Sequence, residues 1–204
     1  MATDDLTTSD AEYTERLLRI QGAWWKRIID IRGIYGWNLR RLEPGYLLDV
    51  GCGIGRNLAH VRGNGVGVDH NARSVEVCRQ RGFAAFTPEE LFADNDRLNG
   101  FDSMLLSHLV EHMVFDDAVE LVRSYLPFVR PNGKIIVIVP QESGYRSDPA
   151  HVAYFTPDDV SDLLHAVGAR VERCFSFPLP HRVFGQLFRY NEFVLSGRLE
   201  AAPT

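Results

Sequence analysis

The apolar residues of this chain fall into two alternating patterns. Largely apolar runs at 47–50, 101–107 and 134–139, bounded by glycine, proline or charged residues, predict short strands buried on both faces. Gly65–Asp69 and 83–86 read as two further strands, and 168–177 and Asn191–Leu195 as the last two. Helical spacing fills the gaps. Ile54, Leu58 and Val61 share a face, so a helix begins at Ile54 or Gly55, and Ala72–Arg81 reads as another. Thr156-Pro157-Asp158-Asp159 predicts a helix to about Val167, with threonine at the N-cap, proline in the first position and acids in the first turn. Glu43-Pro44-Gly45 and Pro131-Asn132-Gly133 read as turns into the strands that follow. Strands alternating with helices predict an α/β chain with a mostly parallel sheet.

Ahead of the first strand, residues 11–44 form a separate helical segment, one helix or two, broken near Gly33 or Gly36. Leu17, Ile20, Trp24, Ile28 and Ile31 recur at helical spacing, with Arg16, Arg19, Lys26, Arg27 and Arg32 elsewhere on the surface. Three readings stand: a lid over a cofactor, a basic amphipathic face for an anionic lipid surface, or a helix packed on the sheet. Residues 1–10 are polar and acidic and are expected to form a disordered tail.

Composition narrows the class. At 204 residues and 45% hydrophobic content the chain suffices for one domain with a sizeable core. A net charge of −5 argues against nucleic acid as the main partner. Cys52, Cys78 and Cys174 are widely spaced and make no disulfide framework, which fits a cytoplasmic location. No signal peptide and no membrane-inserting stretch is visible, and two lysines against twenty arginines fit a GC-rich bacterial genome.

The stretch 47–58 carries the chemistry. Gly51, Gly53 and Gly55 make a turn whose backbone can approach a ligand and deliver it to a helix N-terminus. A dinucleotide fingerprint, G-x-G-x-x-G, would need glycine where Arg56 stands. Asp49 just before the turn would repel a pyrophosphate but suits an ammonium group. Asp69, ending the second strand, can accept hydrogen bonds from both hydroxyls of a ribose. An ammonium group and a ribose without phosphates describe S-adenosylmethionine (SAM).

On these residues the chain resembles the class I SAM-dependent methyltransferases, from about Tyr46 to at least Phe175. The resemblance implies a Rossmann-like three-layer sandwich over 45–200, with a seven-stranded, mostly parallel sheet whose last strand is antiparallel. It implies that Asp49, Gly51, Gly53 and Gly55 hold the amino-acid end of the cofactor and Asp69 its ribose. His70 and Ser107, beside the ends of the second and fourth strands, join the cofactor set. Thr87, Glu89 or Glu90 would line the adenine, with Glu89 taken as the candidate, although Thr87-Pro88-Glu89-Glu90 also reads as an ordinary helix start.

Immediately after the fourth strand comes His108-Leu-Val-Glu111-His112. If this segment is helical, positions 108, 111 and 112 share a face, and two imidazoles with one carboxylate make a possible metal site. His151, in the loop 140–156, could complete the set. The arrangement resembles a subgroup of O-methyltransferases, including small-RNA terminal 2′-O-methyltransferases and ubiquinone-pathway catechol O-methyltransferases, with the pattern Glu-x-x-Glu-His and a distant His. Glu111, His112 and His151 match it, while His108 stands where the subgroup has its first glutamate. The resemblance implies a divalent cation (manganese, magnesium or zinc), and the imidazole-rich set leans away from magnesium. Without a metal, His112 or His151 remains a candidate general base. His108-x-x-Glu111-His112 also spells an inverted zinc-protease signature, set aside because it follows a buried strand directly.

An aromatic loop at 178–190 and the 140–156 loop are expected to build the acceptor pocket, with Arg146, His181 and Arg182 facing a polar or anionic acceptor. The reading is SAM-dependent O-methylation of a hydroxyl, one of a vicinal diol, on a small molecule or saccharide. The alternatives are a metal-free N- or C-methyltransferase, an RNA-terminus 2′-O-methyltransferase, and a non-catalytic SAM-binding subunit.

Overall fold

The computed structural model describes residues 31–200. In chain order these form helix α1 (Ile31–Arg41), strand β1 (Leu47–Val50), α2 (Arg56–His60), β2 (Gly65–Val68), α3 (Ala72–Gln80), β3 (Ala84–Phe86), α4 (Pro88–Phe92) and β4 (Phe101–Ser107). Then come a 3₁₀ turn at Val110–His112, α5 (Phe115–Tyr125), β5 (Val129–Pro140), α6 (Glu142–Tyr145), α7 (Pro157–Ala166), β6 (Ala169–Phe177), α8 (His181–Phe184) and β7 (Glu192–Leu199). The seven strands make one sheet in the order β3-β2-β1-β4-β5-β7-β6. β1 pairs in parallel with β2 on one side and β4 on the other, while β7 runs antiparallel to both β5 and β6. The predicted fold class therefore stands. The order reverses at β1, so a crevice opens between the carboxyl ends of β1 and β4.

The continuous apolar runs follow from burial on both faces of this sheet. Leu48, Val50, Met104, Leu106, Val137 and Val139 pack against Val119 and Val122 of α5 and Leu163 and Leu164 of α7. On the other face Leu47, Leu105, Ile136, Ile138 and Val194 pack against Leu39 and Leu42, with Phe177 beside them. Each such side chain is worth about 1.5–3 kcal/mol when fully buried.

Away from the crevice, α1, β5 and β7 differ from expectation. α1 runs unbroken through Gly33 and Gly36. Gly36 serves close packing: a Cβ there would stand 2.8 Å from His60 Nδ1, and Arg40 Nη1 donates to the His60 carbonyl at 2.9 Å. β5 begins at Val129, ahead of the Pro131-Asn132-Gly133 turn. Its pairing with β4 breaks between Phe101 and Ser103, and Asn132 takes a left-handed φ of 58°, so the turn is an interruption within the strand. β7 extends to Leu199, because its antiparallel pairing with β5 continues as far as Lys134↔Arg198.

The tail expected at 1–10 and the positions Leu17, Ile20, Trp24 and Ile28 lie outside the described residues. Among the described residues, no helix is long and apolar enough to cross a membrane.

Candidate active site

The glycine turn sits at the crevice. Gly51, Gly53 and Gly55 have φ of 75°, 52° and 78°, which side-chain-bearing residues rarely adopt. The Gly51 and Cys52 amides donate to the Val68 carbonyl at 2.8 and 3.0 Å, tying the turn to β2. Gly51 also leaves room for Leu109, whose Cδ1 would lie 2.9 Å from a Cβ there. The helix that follows is short, Arg56–His60, with left-handed Gly55 as its N-cap; the helix expected from Ile54 to Val61 contracts to these five residues.

Asp49 is 0% exposed. Its Oδ1 accepts from Asn57 Nδ2 at 3.2 Å, whereas buried Oδ2 has no partner. Burial pushes its pKa up to about 7, against the lowering influence of the Asn57 hydrogen bond and the Arg56 charge. A buried carboxylate oxygen without a donor is costly, and a ligand ammonium would satisfy it. Asp69 accepts from the Gly53 amide at 2.8 Å through Oδ2 and from the Asn71 amide at 2.9 Å through Oδ1. Each oxygen keeps a lone pair for a ribose hydroxyl. These residues fit SAM.

The rest of the predicted cofactor set is more scattered. Ser107 is buried at the end of β4. The His70 side chain is 80% exposed, with Nδ1 3.7 Å from Asp69 Oδ1, so it stands at the rim. Thr87 and Glu90 close the capping box of α4, and Glu90 also pairs with Arg79. The helix-start reading holds for those two, and Glu89 stays an exposed candidate for the adenine.

The segment after β4 does not meet the condition of being helical from His108, since only Val110–His112 form a 3₁₀ turn. The His108 amide still bonds the Ile138 carbonyl at 2.9 Å, then the residue turns left-handed at φ 55°. Positions 108, 111 and 112 therefore do not share a helix face. Three of the four expected metal ligands come together instead: Glu111, His112 and His151 offer ligand atoms within 4.8 Å of one another. The Glu111 carbonyl accepts from the Val152 and Ala153 amides at 2.8 and 3.1 Å, which brings the 140–156 loop to it. His112 Nδ1 lies 3.1 Å from the Ala150 carbonyl and His151 Nδ1 2.7 Å from that of Tyr145. A carbonyl can only accept, so each neutral ring carries its proton on Nδ1 and presents the Nε2 lone pair. His151 Nε2 stands 4.0 Å from Glu111 Oε1, and Glu111 Oε2 is buried without a partner.

His108 touches Glu111 but does not join the group of ligand atoms. Its Nδ1 is 3.2 Å from Glu111 Oε1 and its Nε2 2.7 Å from Glu192 Oε1. Burial alone would lower its pKa, but hydrogen bonds to the two carboxylates overcome that and raise it to about 9. Glu192 is a residue that sequence reasoning missed; its signal was an acid directly ahead of the apolar run Phe193–Leu195.

In the loop expected to face the acceptor, Tyr145 stacks on His151 with centroids 5.4 Å apart. His181 Nε2 lies 3.1 Å from Glu142 Oε1, which gives that ring an internal partner. Arg146 is exposed, and the Arg182 side chain lies outside the described residues. Buried Asn191 bonds Gln141 Oε1 and the Leu179 carbonyl through Nδ2 and takes the Leu179 amide on Oδ1, so it clamps the 178–190 loop to the end of β5.

No curated protein sequence matches the chain. Similar solved structures are numerous. A SAM-dependent methyltransferase from Archaeoglobus fulgidus is 20% identical with a TM-score of 0.62, over 82% of this chain and 94% of that one. Magnesium protoporphyrin IX methyltransferase from Synechocystis PCC 6803, solved with bound SAM, is 15% identical with a TM-score of 0.64, over 98% and 99%. A possible histamine N-methyltransferase from Thermotoga maritima is 16% identical with a TM-score of 0.60, over 85% and 93%. At these identities the likeness is one of fold. The family model described as a methyltransferase domain matches residues 36–173, from within α1 through the crevice to β6, and the chain belongs to that family.

Proposed function

We propose that this methyltransferase moves the methyl group of SAM onto a hydroxyl, one of a vicinal pair on a small molecule or saccharide, with a divalent cation held by Glu111, His112 and His151. The observation that carries the reading is that cluster: two imidazoles with Nε2 presented and a buried carboxylate with an unpartnered oxygen. It lies close to the glycine turn, since Leu109 packs on Gly51.

Asp49 binds the cofactor's ammonium and Asp69 its ribose. The Nδ1 contacts to Ala150 and Tyr145 keep both rings oriented, so that His112 and His151 either hold a cation or accept the hydroxyl proton through Nε2. A cation at this site would orient adjacent hydroxyls and favour the alkoxide. Two imidazoles and one carboxylate suit manganese, iron or zinc better than magnesium and leave positions open for two acceptor oxygens.

The test is calorimetric. Manganese, zinc and magnesium are titrated into chelator-stripped protein saturated with S-adenosylhomocysteine (SAH). The expected result is saturable binding that is lost in His112→Ala and in His151→Ala. Absence of binding to the unsubstituted protein refutes the cation and leaves the histidines as proton acceptors, and the acceptor search then widens to amines and carbon nucleophiles.

A further inference from the structure

His108 occupies the sequence position of a ligand, yet both its ring nitrogens are spent on carboxylates. One belongs to Glu111, 1% exposed; the other to Glu192, 8% exposed and 84 positions away, at the start of β7. The left-handed backbone at His108 is unusual for a residue with a side chain, and such conformations persist where surrounding contacts impose them. Glutamate has three rotatable side-chain bonds, so a buried Glu111 carboxylate stays in one orientation only if something holds it. Glu111 Oε1 touches His108 Nδ1 at 3.2 Å and stands 4.0 Å from His151 Nε2.

We infer that His108 is a positioning residue: with Glu192 it forms a hydrogen-bonded strut that fixes the Glu111 carboxylate beside His151, and Glu192 thereby belongs to the acceptor site. What the strut serves rests on the proposed cation site, but the strut itself does not. It ties the end of β4 to the start of β7 across β5, so the 178–190 loop and the 140–156 loop share one anchor. An acceptor oxygen at position 192 is what it requires, so glutamine should serve there and alanine should not.

The experiment has two arms. In the first, manganese binding to SAH-saturated, chelator-stripped protein is followed by electron paramagnetic resonance. Loss of an orienting partner typically costs about 10- to 100-fold in metal affinity, and that loss is expected for His108→Ala and for Glu192→Ala. Glu192→Gln should stay within about threefold of the unsubstituted protein, the double alanine variant should bind no worse than His108→Ala, and SAH affinity should change by less than about twofold. Unchanged manganese affinity in Glu192→Ala overturns the strut. Complete loss in His108→Ala beside normal binding in Glu192→Ala makes His108 a ligand and also overturns it. In the second arm, ring-nitrogen resonances are recorded on cation-free protein at fixed pH. The His151 signals should move in Glu192→Ala and stay in Glu192→Gln, with exposed His165 unchanged in both. If the unsubstituted protein binds no manganese, the cation reading fails and this arm decides the strut: a His151 signal indifferent to Glu192→Ala refutes it.

Discussion

At the scale of residues, the proposed cofactor contact rests on one side chain, Asp49. Buried with Oδ2 unpaired, it has its pKa raised to about 7 in the cofactor-free protein, above the unfolded value of about 3.9. The sign follows from linkage. The folded state binds a proton that the unfolded chain has released, so Asp49 costs stability progressively as pH rises from about 4 to about 7. Only the carboxylate binds an ammonium group, so protons compete with the cofactor. SAH affinity should therefore rise between about pH 6 and pH 8 and then level off. Asp49→Asn should flatten that profile and weaken SAH on the order of 10- to 100-fold, the worth of a hydrogen bond to a charged group. Calorimetry at three pH values decides it; a flat profile in the unsubstituted protein would mean that Asp49 does not meet the ammonium. Asp49 was legible as a candidate because an acid in an apolar strand, two residues before a glycine turn, has few structural uses. Glu192 was not, since nothing around it in the chain shows that His108 is its partner.

At the scale of elements, local chemistry proved a dependable guide where it acts alone. Thr156 and Asp159 close a capping box at the start of α7, with Thr156 Oγ1 accepting from the Asp159 amide at 3.2 Å and Asp159 Oδ2 from the Thr156 amide at 2.8 Å. Thr156→Ala should cost about 1 kcal/mol, seen as a lower urea midpoint, with SAH affinity unchanged. A fall in SAH affinity would mean that α7 supports the crevice directly. The segment 108–113 followed a different rule. Its spacing suits a helix face, but strand pairing extends into His108 and the chain leaves the sheet through a left-handed residue. Gly36 makes the same point in reverse: glycine suggested a break in the helix, and the structure uses it to let α1 approach His60.

Over the whole molecule, the insertion of β7 between β5 and β6 brings the 140–156 and 178–190 loops together. Asn191, at the mouth of β7, links Gln141 at the end of β5 with Leu179 after β6, and it is 0% exposed. Asn191→Ala would strand buried Gln141 and the half-buried Leu179 backbone and should destabilise the protein by about 2–4 kcal/mol. Hydrogen exchange at the Leu179 amide should quicken with it. If stability falls while Leu179 keeps its protection, the residue fills space and does not clamp the loop.

The sequence by itself determined the α/β order, most strand positions, the capped helix α7 and the glycine turn at the crevice. Those features are local: Asp49, the three glycines and Asp69 lie within one β1–turn–α2–β2 passage, and adjacent parallel strands bring its two ends together. The cluster around Glu111 was decided by tertiary structure. Glu111 meets His151 through a returning loop, and His108 meets Glu192 through a strand that enters the sheet out of sequence order. Such contacts depend on which strands become neighbours and on the sign of one backbone angle at His108, and neither is written in the spacing of residues along the chain.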